Sequence, residues 1–363
     1  MKKLLVASTA LVAFAAVNSA QAADPIKVSV GGYLHEWVGY VDQDKDGQED
    51  WAEVTVHSES ELYFRGNTTL DNGLTIGVNI DLYTAQDNQG VDDVFVQISS
   101  DSLGKIRLGQ TKGAAYALSH TSPNFGALGH NDGDIVDWAN DTVVTSNQTH
   151  TASESNDGQK IVYWTPNFAG FQAGFSYGLN ANNLADTTID VGGTNTGSDT
   201  AFDAGVAYNG EFGGVSVGAD VTYQRDFNGG TTGTAVEDRE AWRGGVSVGV
   251  AGFTIGGSYR DTDNEGNVKN IDASGWDVGV AYATGPYGVS LSYLSLEQDN
   301  AANPAVEDTD KSWVLGGSYD MGAGVKLVGS IFSAEYENGN VNTVNNTSDN
   351  EAFGVVTGIE VNF

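Results

Sequence analysis

The 363-residue chain carries 48 acidic and 16 basic side chains, a formal charge of −32, and no cysteine. So negative a surface repels a nucleic-acid backbone, and a chain without thiols forms neither disulfides nor thiolate metal sites. It attracts cations instead, divalent ones included.

Residues 1–22 read as a secretory signal peptide. Met1-Lys2-Lys3 is basic, residues 4–17 are apolar, and Ala20-Gln21-Ala22 supplies a small-x-small cleavage site after Ala22. The apolar run falls short of the roughly 20 residues that a spanning helix requires. No later stretch is as long without polar interruption. Residues 23–363 therefore form a single domain that is either soluble or crosses a membrane as strands.

The first acidic stretch is Asp42-Gln43-Asp44-Lys45-Asp46-Gly47, closed by Glu53 at the twelfth position. Carboxylates at odd positions, a glycine for the sharp turn and a terminal glutamate make the oxygen-ligand pattern of a calcium loop, with Asp42, Asp44, Asp46 and Glu53 as ligands. The flanks read as strands, so this is not an EF-hand. A structural calcium ion and a plain acidic loop both fit.

From there the chain alternates with period two. Residues 171–178 place Phe171, Ala173, Phe175 and Tyr177 on one face and Gln172, Gly174, Ser176 and Gly178 on the other. Residues 215–224 and 253–260 split the same way, as do 74–82, 242–250, 276–282, 289–293 and 313–319. Successive side chains of a strand point to opposite faces, so each segment has one apolar and one polar side. The polar side is small and hydrophilic, as a watered lumen requires. The apolar side closes on Tyr or Trp near strand ends, as at a membrane interface.

The connections alternate in length. Tight turns fall near Asn72, Leu103, Phe168, Phe212, Gly252, Pro286 and Gly322. Longer acidic loops lie at 42–52, 85–91, 112–157, 181–198, 227–236, 263–271, 298–309 and 337–349. Seven turns and eight loops join 16 strands, the even number expected of a bacterial outer-membrane barrel with both ends on the short-turn side. The expected fold is all-β: a transmembrane antiparallel barrel with short periplasmic turns and long external loops. The 112–157 loop is the outlier. It holds Asp132, Asp134, Asp137, Asp141, Glu154 and Asp157 against Lys112 alone, with His120, His130 and His150. Loops this long in a compact array are more often functional than accidental.

The last strand, 351–363, alternates Phe353, Val355, Thr357, Ile359, Val361 and Phe363 and ends on that phenylalanine. Other marks are His57-Ser58-Glu59-Ser60-Glu61-Leu62-Tyr63-Phe64-Arg65-Gly66, the Leu70-Asp71-Asn72-Gly73-Leu74 turn, Gly104-Lys105-Ile106-Arg107-Leu108-Gly109 and Tyr163-Trp164-Thr165-Pro166-Asn167-Phe168. With these the whole exported chain resembles a Gram-negative general porin. The resemblance implies an outer-membrane homotrimer whose third loop folds inward as a constriction, and it makes Phe363 the signal read by the outer-membrane assembly machinery.

If Leu62 and Phe64 face lipid, then Glu59, Glu61, Tyr63 and Arg65 face the lumen; if Ile106 and Leu108 face lipid, so do Lys105 and Arg107. In similar porins wall bases oppose acids of the third loop. The resemblance thus places Arg65, Lys105 and Arg107, with Lys27, against Asp132, Asp134, Asp137 and Asp141 at the narrowing. Ser122-Pro123-Asn124-Phe125-Gly126 lies where the family carries a Pro-x-Phe-Gly element, with Asn124 in place of the usual acid.

No histidine pair has metal-ligand spacing, and no nucleophile elbow or phosphate loop follows a strand, so an enzyme has no candidate residues. The expected function is passive diffusion of small hydrophilic solutes and ions, cations preferred, with no required cofactor. Calcium could bridge the outer loops to lipopolysaccharide. The alternatives are a substrate-specific channel, which needs an aromatic slide or ligand cluster, and a secreted soluble β-sandwich that binds or adheres.

Overall fold

The computed structural model describes residues 24–44, 53–85, 90–130, 134–144, 151, 158–180, 200–227, 237–340 and 349–363. The signal segment and Asp46, Asp132 and His150 lie outside them.

The strands are β1 (Ser29–Gln43), β2 (Val54–Thr69), β3 (Thr75–Ala85), β4 (Gly90–Ser100), β5 (Gly104–Gln110), β6 (Gln159–Trp164), β7 (Phe171–Asn180) and β8 (Thr200–Phe212). They continue as β9 (Val215–Phe227), β10 (Arg239–Val250), β11 (Phe253–Asp263), β12 (Ala273–Thr284), β13 (Tyr287–Asn300), β14 (Asn303–Gly322), β15 (Val325–Glu337) and β16 (Asp349–Asn362). Each pairs antiparallel with its sequence neighbours, and β1 pairs β16 from Tyr33↔Asn362 to Gln43↔Ala352. The ring closes at the terminus, where Gly32 and Phe363 exchange backbone hydrogen bonds at 2.9 and 3.0 Å. A closed ladder leaves no unpaired edge in hydrocarbon, where each orphan group costs several kcal/mol.

The outward face is apolar. Val246, Val248, Ile255, Val278, Val280 and Leu291 are exposed on it. Aromatic pairs bracket this band: Tyr223–Trp242 and Trp276–Tyr293 toward the long loops, Phe253–Tyr282 and Tyr287–Tyr319 toward the short turns. On β12 the two belts, Trp276 and Tyr282, stand roughly 20 Å apart along the strand at ~3.4 Å per residue. Rings at both edges of an apolar band are what two membrane interfaces select.

All seven short turns stand where the turn residues place them. One long loop does not. Residues 298–309 are strand rather than loop: β13 runs to Asn300, β14 starts at Asn303, and two residues join them. Asn300 builds that hairpin, its Oδ1 accepting the N–H groups of Ala302 and Asn303 at 2.9 and 3.1 Å. Above the membrane both faces of a strand meet water, so polarity there says nothing about backbone conformation.

The long loop between β5 and β6 turns into the barrel and follows its inner wall. A short helix, α1 (Ala114–Leu118), packs with Val162, Trp164 and Ala207. Farther on, Ala127, Leu128, Ile135, Trp138 and Ala139 form an apolar core with Val314, Val328, Phe332, Tyr336 and Val356 of β14–β16. The inward face is thus not uniformly hydrophilic. Where the loop docks, the wall is as apolar as a soluble core, and the water-filled space is pushed toward β1–β5.

Candidate functional site: the lumen and its narrowing

Wall side chains fix the loop by satisfying its backbone. Asp203 accepts the Ala115 N–H at 2.8 Å, Asp220 that of His120 at 2.6 Å and Asp277 that of Ser122 at 2.5 Å. The Ser290 hydroxyl accepts from Phe125 at 2.7 Å, and Ser330 accepts from Ala127 and Leu128 at 3.0 and 3.2 Å. Gln43 on β1 takes the Asn140 N–H at 2.9 Å. The loop therefore spends its unpaired donors on the wall strand by strand, which an irregular segment in a confined space must do. The period-two split of residues 215–224 puts Asp220 on the polar face with Ser216, Gly218 and Thr222, but sequence reasoning did not identify these acceptors as clamps. For the three aspartates the only signal was a carboxylate on the inward face of a strand.

Among the described residues, two cavities lie in the space left over. One, of about 660 Å³, is lined by Lys27, Arg65, Asn79, Asp81, Asp93, Gln97 and Arg107. The other, of about 950 Å³, meets the loop: Tyr33, His35, Trp37, His57, Glu59, Glu61, Asp92 and Glu360 from the wall, Lys112, Asn124, Asp134 and Asp137 from the loop.

Arg65, Arg107 and Lys27 thus share the first cavity, while Asp134 and Asp137 face the second. Arg65 is held by the wall itself, its guanidinium on Asp81 at 2.6 Å and on Asn79 at 2.6 Å. Arg107 donates to Gln97 at 3.1 Å and lies 4.3 Å from the Phe95 ring centroid. Lys105 sits 4.3 Å over Trp164. Asp134 accepts the Gly129 N–H at 2.9 Å, and Asp137 stands 3.9 Å from His57 Nε2. Asp141 lines neither cavity, and burial pushes its carboxyl above the usual range. The second cavity is consequently acidic: its wall carboxylates Glu59, Glu61, Asp92 and Glu360 share the side of the loop acids.

Of the calcium-pattern residues, Asp42 is exposed on β1, Asp44 accepts the Glu351 N–H at 3.2 Å, and the Glu53 carbonyl accepts from Val41 at 2.8 Å. Among the described residues no three acidic or imidazole side chains converge as a metal site.

Comparison with known proteins supports one assignment. A family model described as Gram-negative porin matches residues 7–340. A search of curated proteins found no match. Among solved structures, the anion-selective porin from Comamonas acidovorans is 20% identical, with a TM-score of 0.62 over 93% of this chain and 100% of that one. A loop L8 deletion mutant of the Vibrio cholerae outer-membrane protein OmpT is 15% identical, with a TM-score of 0.62 over 94% and 100%. At such identities these two show the shared barrel alone. With a closed 16-stranded ladder, a lipid-facing belt and a family match spanning nearly its whole length, this chain belongs to the Gram-negative porins of the outer membrane.

Proposed function

We propose that the barrel is a water-filled channel for passive diffusion of small hydrophilic solutes and ions, that it prefers cations, and that it works as a homotrimer. The family gives the outer-membrane channel; the finer reading rests on the acidic second cavity. Glu59, Glu61, Asp92, Asp134, Asp137 and Glu360 border the space beside the inward loop, with Lys112 as its one lysine among the described lining residues. Exposed charges act over about 8 Å at physiological salt. An excess of carboxylates there raises cation occupancy and repels anions.

The trimer is supported by the outer surface of β1 and β2. Glu36 points outward there, 2.7 Å from the Ser58 hydroxyl, and Ser60 and Thr84 pair nearby at 2.5 Å. A carboxylate in the lipid belt is costly, so this polar strip suits burial against another copy. Phe363, seated at the seam with Gly32, is the proposed contact for the assembly machinery, and the outer loops for lipopolysaccharide. A soluble sandwich is excluded, since its apolar faces would have to meet in a dry interior.

The test is reconstitution in a planar bilayer across a salt gradient. Conductance in three equal substeps with a cation-selective reversal potential is expected, and Glu59→Gln with Asp137→Asn should move that potential toward zero. An anion-selective potential in the native protein overturns the preference.

A further inference from the structure

The inner wall of β1 and β2 carries an unbroken run of rings. Trp138 of the loop lies 6.1 Å from His57, which stacks on Trp37 at 5.8 Å. Trp37 meets His35 edge-on at 5.3 Å, His35 stacks on Tyr33 at 4.4 Å, and Tyr33 reaches Tyr63 at 6.0 Å. The spacing is that of the strand: positions 33, 35 and 37 share one face, and cross-strand neighbours fill the gaps. From His57 to Tyr33 the run lines the acidic cavity, and its far end meets Arg65, which lines the other.

Two features set this run apart from ordinary wall packing. Carboxylates lie alongside the rings: Glu59 and Glu61 both accept from the Tyr33 hydroxyl, at 2.5 and 3.1 Å. Trp37, 8% exposed, borders the cavity, and its indole N–H, itself buried, has no acceptor among the described residues. The chain also shows what fits such a rung. The Arg65 guanidinium stacks 3.8 Å from the Tyr63 centroid while pairing with Asp81, so a flat cation already sits between a ring face and a carboxylate.

We propose that this ladder is a conduction track for planar organic cations, foremost solutes bearing guanidinium groups. A guanidinium gains from the ring quadrupole and from a bidentate carboxylate at each rung. An ammonium gains mainly the charge. A neutral sugar gains the ring faces but faces carboxylates it cannot neutralise. This assignment rests on the channel reading and names the solute class of the same passage.

The experiment is current block of the reconstituted channel by capped triarginine, capped trilysine and maltotriose at fixed ionic strength. Triarginine should half-block at a concentration at least about fivefold below trilysine, one to two rungs of cation–π attraction. Maltotriose should not block in that range. Trp37→Leu combined with His57→Leu should bring the two peptides to within about twofold of each other, whereas Trp276→Leu on the outer belt should leave their ratio intact. Equal block of the native channel by both peptides, or block by maltotriose at the triarginine concentration, overturns the track whether or not the variants fold. Absence of any conductance instead refutes the channel, and the track with it.

Discussion

Arg243 and Asp220 form an ion pair inside the barrel, Nη1 to Oδ2 at 2.5 Å, with side chains only 2% and 0% exposed. The same guanidinium donates to the Thr151 carbonyl at 2.7 Å and to that of His120. Thus one β10 residue holds both the outgoing and the returning limb of the inward loop. A buried pair contributes little net stability against a well-packed apolar replacement, but removing one partner strands the other. We expect Arg243→Leu to cost about 3–5 kcal/mol and to release the loop. Lower heat resistance in detergent and a larger, noisier single-channel conductance should follow. Adding Asp220→Asn should restore much of the heat resistance but not the quiet conductance. Native behaviour of Arg243→Leu in both measurements would sink this role.

His130 ties loop docking to pH. It is 3% exposed, with Nδ1 3.3 Å from the Ser312 hydroxyl, and it shares a small pocket with Ile135, Leu294, Asp310 and Tyr336. Burial, the dominant cause, lowers its pKa below the ordinary value, so the docked imidazole is neutral. A freed imidazole takes up a proton near pH ~6.5. The undocked state therefore binds more protons as pH falls below that value, and docking weakens in acid. Asp141 acts oppositely. Its raised pKa weakens docking at neutral pH, and the penalty is relieved as pH falls through its docked pKa toward that of a free carboxyl. Asp310 lies in the same buried pocket, so the histidine's own share is the part that His130→Gln removes. Open-channel noise should grow between roughly pH 7.5 and 5.5, and His130→Gln should flatten that dependence. A variant that keeps the native pH profile would remove His130 from the account.

The first loop carries a separate expectation. Asp44 meets β16 through paired contacts with Glu351, N–H to carbonyl at 3.1 Å and carboxylate to N–H at 3.2 Å. Asp42, Asp44 and Glu53 flank the stretch that completes the calcium pattern, with Asp46 inside it. If an ion is held there by loop oxygens, millimolar calcium should slow proteolysis of the first loop, and Asp44→Ala should abolish the protection. Cleavage that ignores both calcium and chelator leaves a plain acidic loop.

The strands, their facing and the seven tight turns were legible because lipid and water impose them residue by residue. Arg65 could be assigned inward from Leu62 and Phe64 alone. Its height along the axis could not. Height depends on strand tilt and stagger, which the closed ring fixes as a whole. That is why the sequence could place Arg65 in the lumen but could not pair it with Asp81, 16 residues on. The clamps were hidden for a related reason. Ser122 and Asp277 lie 155 residues apart, and nothing local marks either as the other's partner. The ring ladder was missed because Tyr33, His35 and Trp37 become a path only once His57, Tyr63 and the loop's Trp138 are brought beside them.

Trp138 seats against Gly39, which faces inward on β1 between Trp37 and Val41. A Cβ at Gly39 would stand 2.2 Å from Cζ3 and 2.7 Å from Cε3 of the Trp138 indole. Both rigid partners are held: the strand by its ladders, the indole by a 6%-exposed position in the apolar core. Gly39→Ala should therefore push the indole off the wall and cost about 1–3 kcal/mol as overpacking. The colliding atoms belong to the benzo ring of tryptophan, which phenylalanine lacks. Trp138→Phe alone should destabilise by leaving a void, yet Gly39→Ala with Trp138→Phe should be more stable than Gly39→Ala alone, since added methyl and lost ring offset each other. Heat-induced unfolding of the detergent-solubilised barrel, with the two singles and the double compared, measures that coupling. Additive losses in the double variant would mean that the glycine is not making room for the indole.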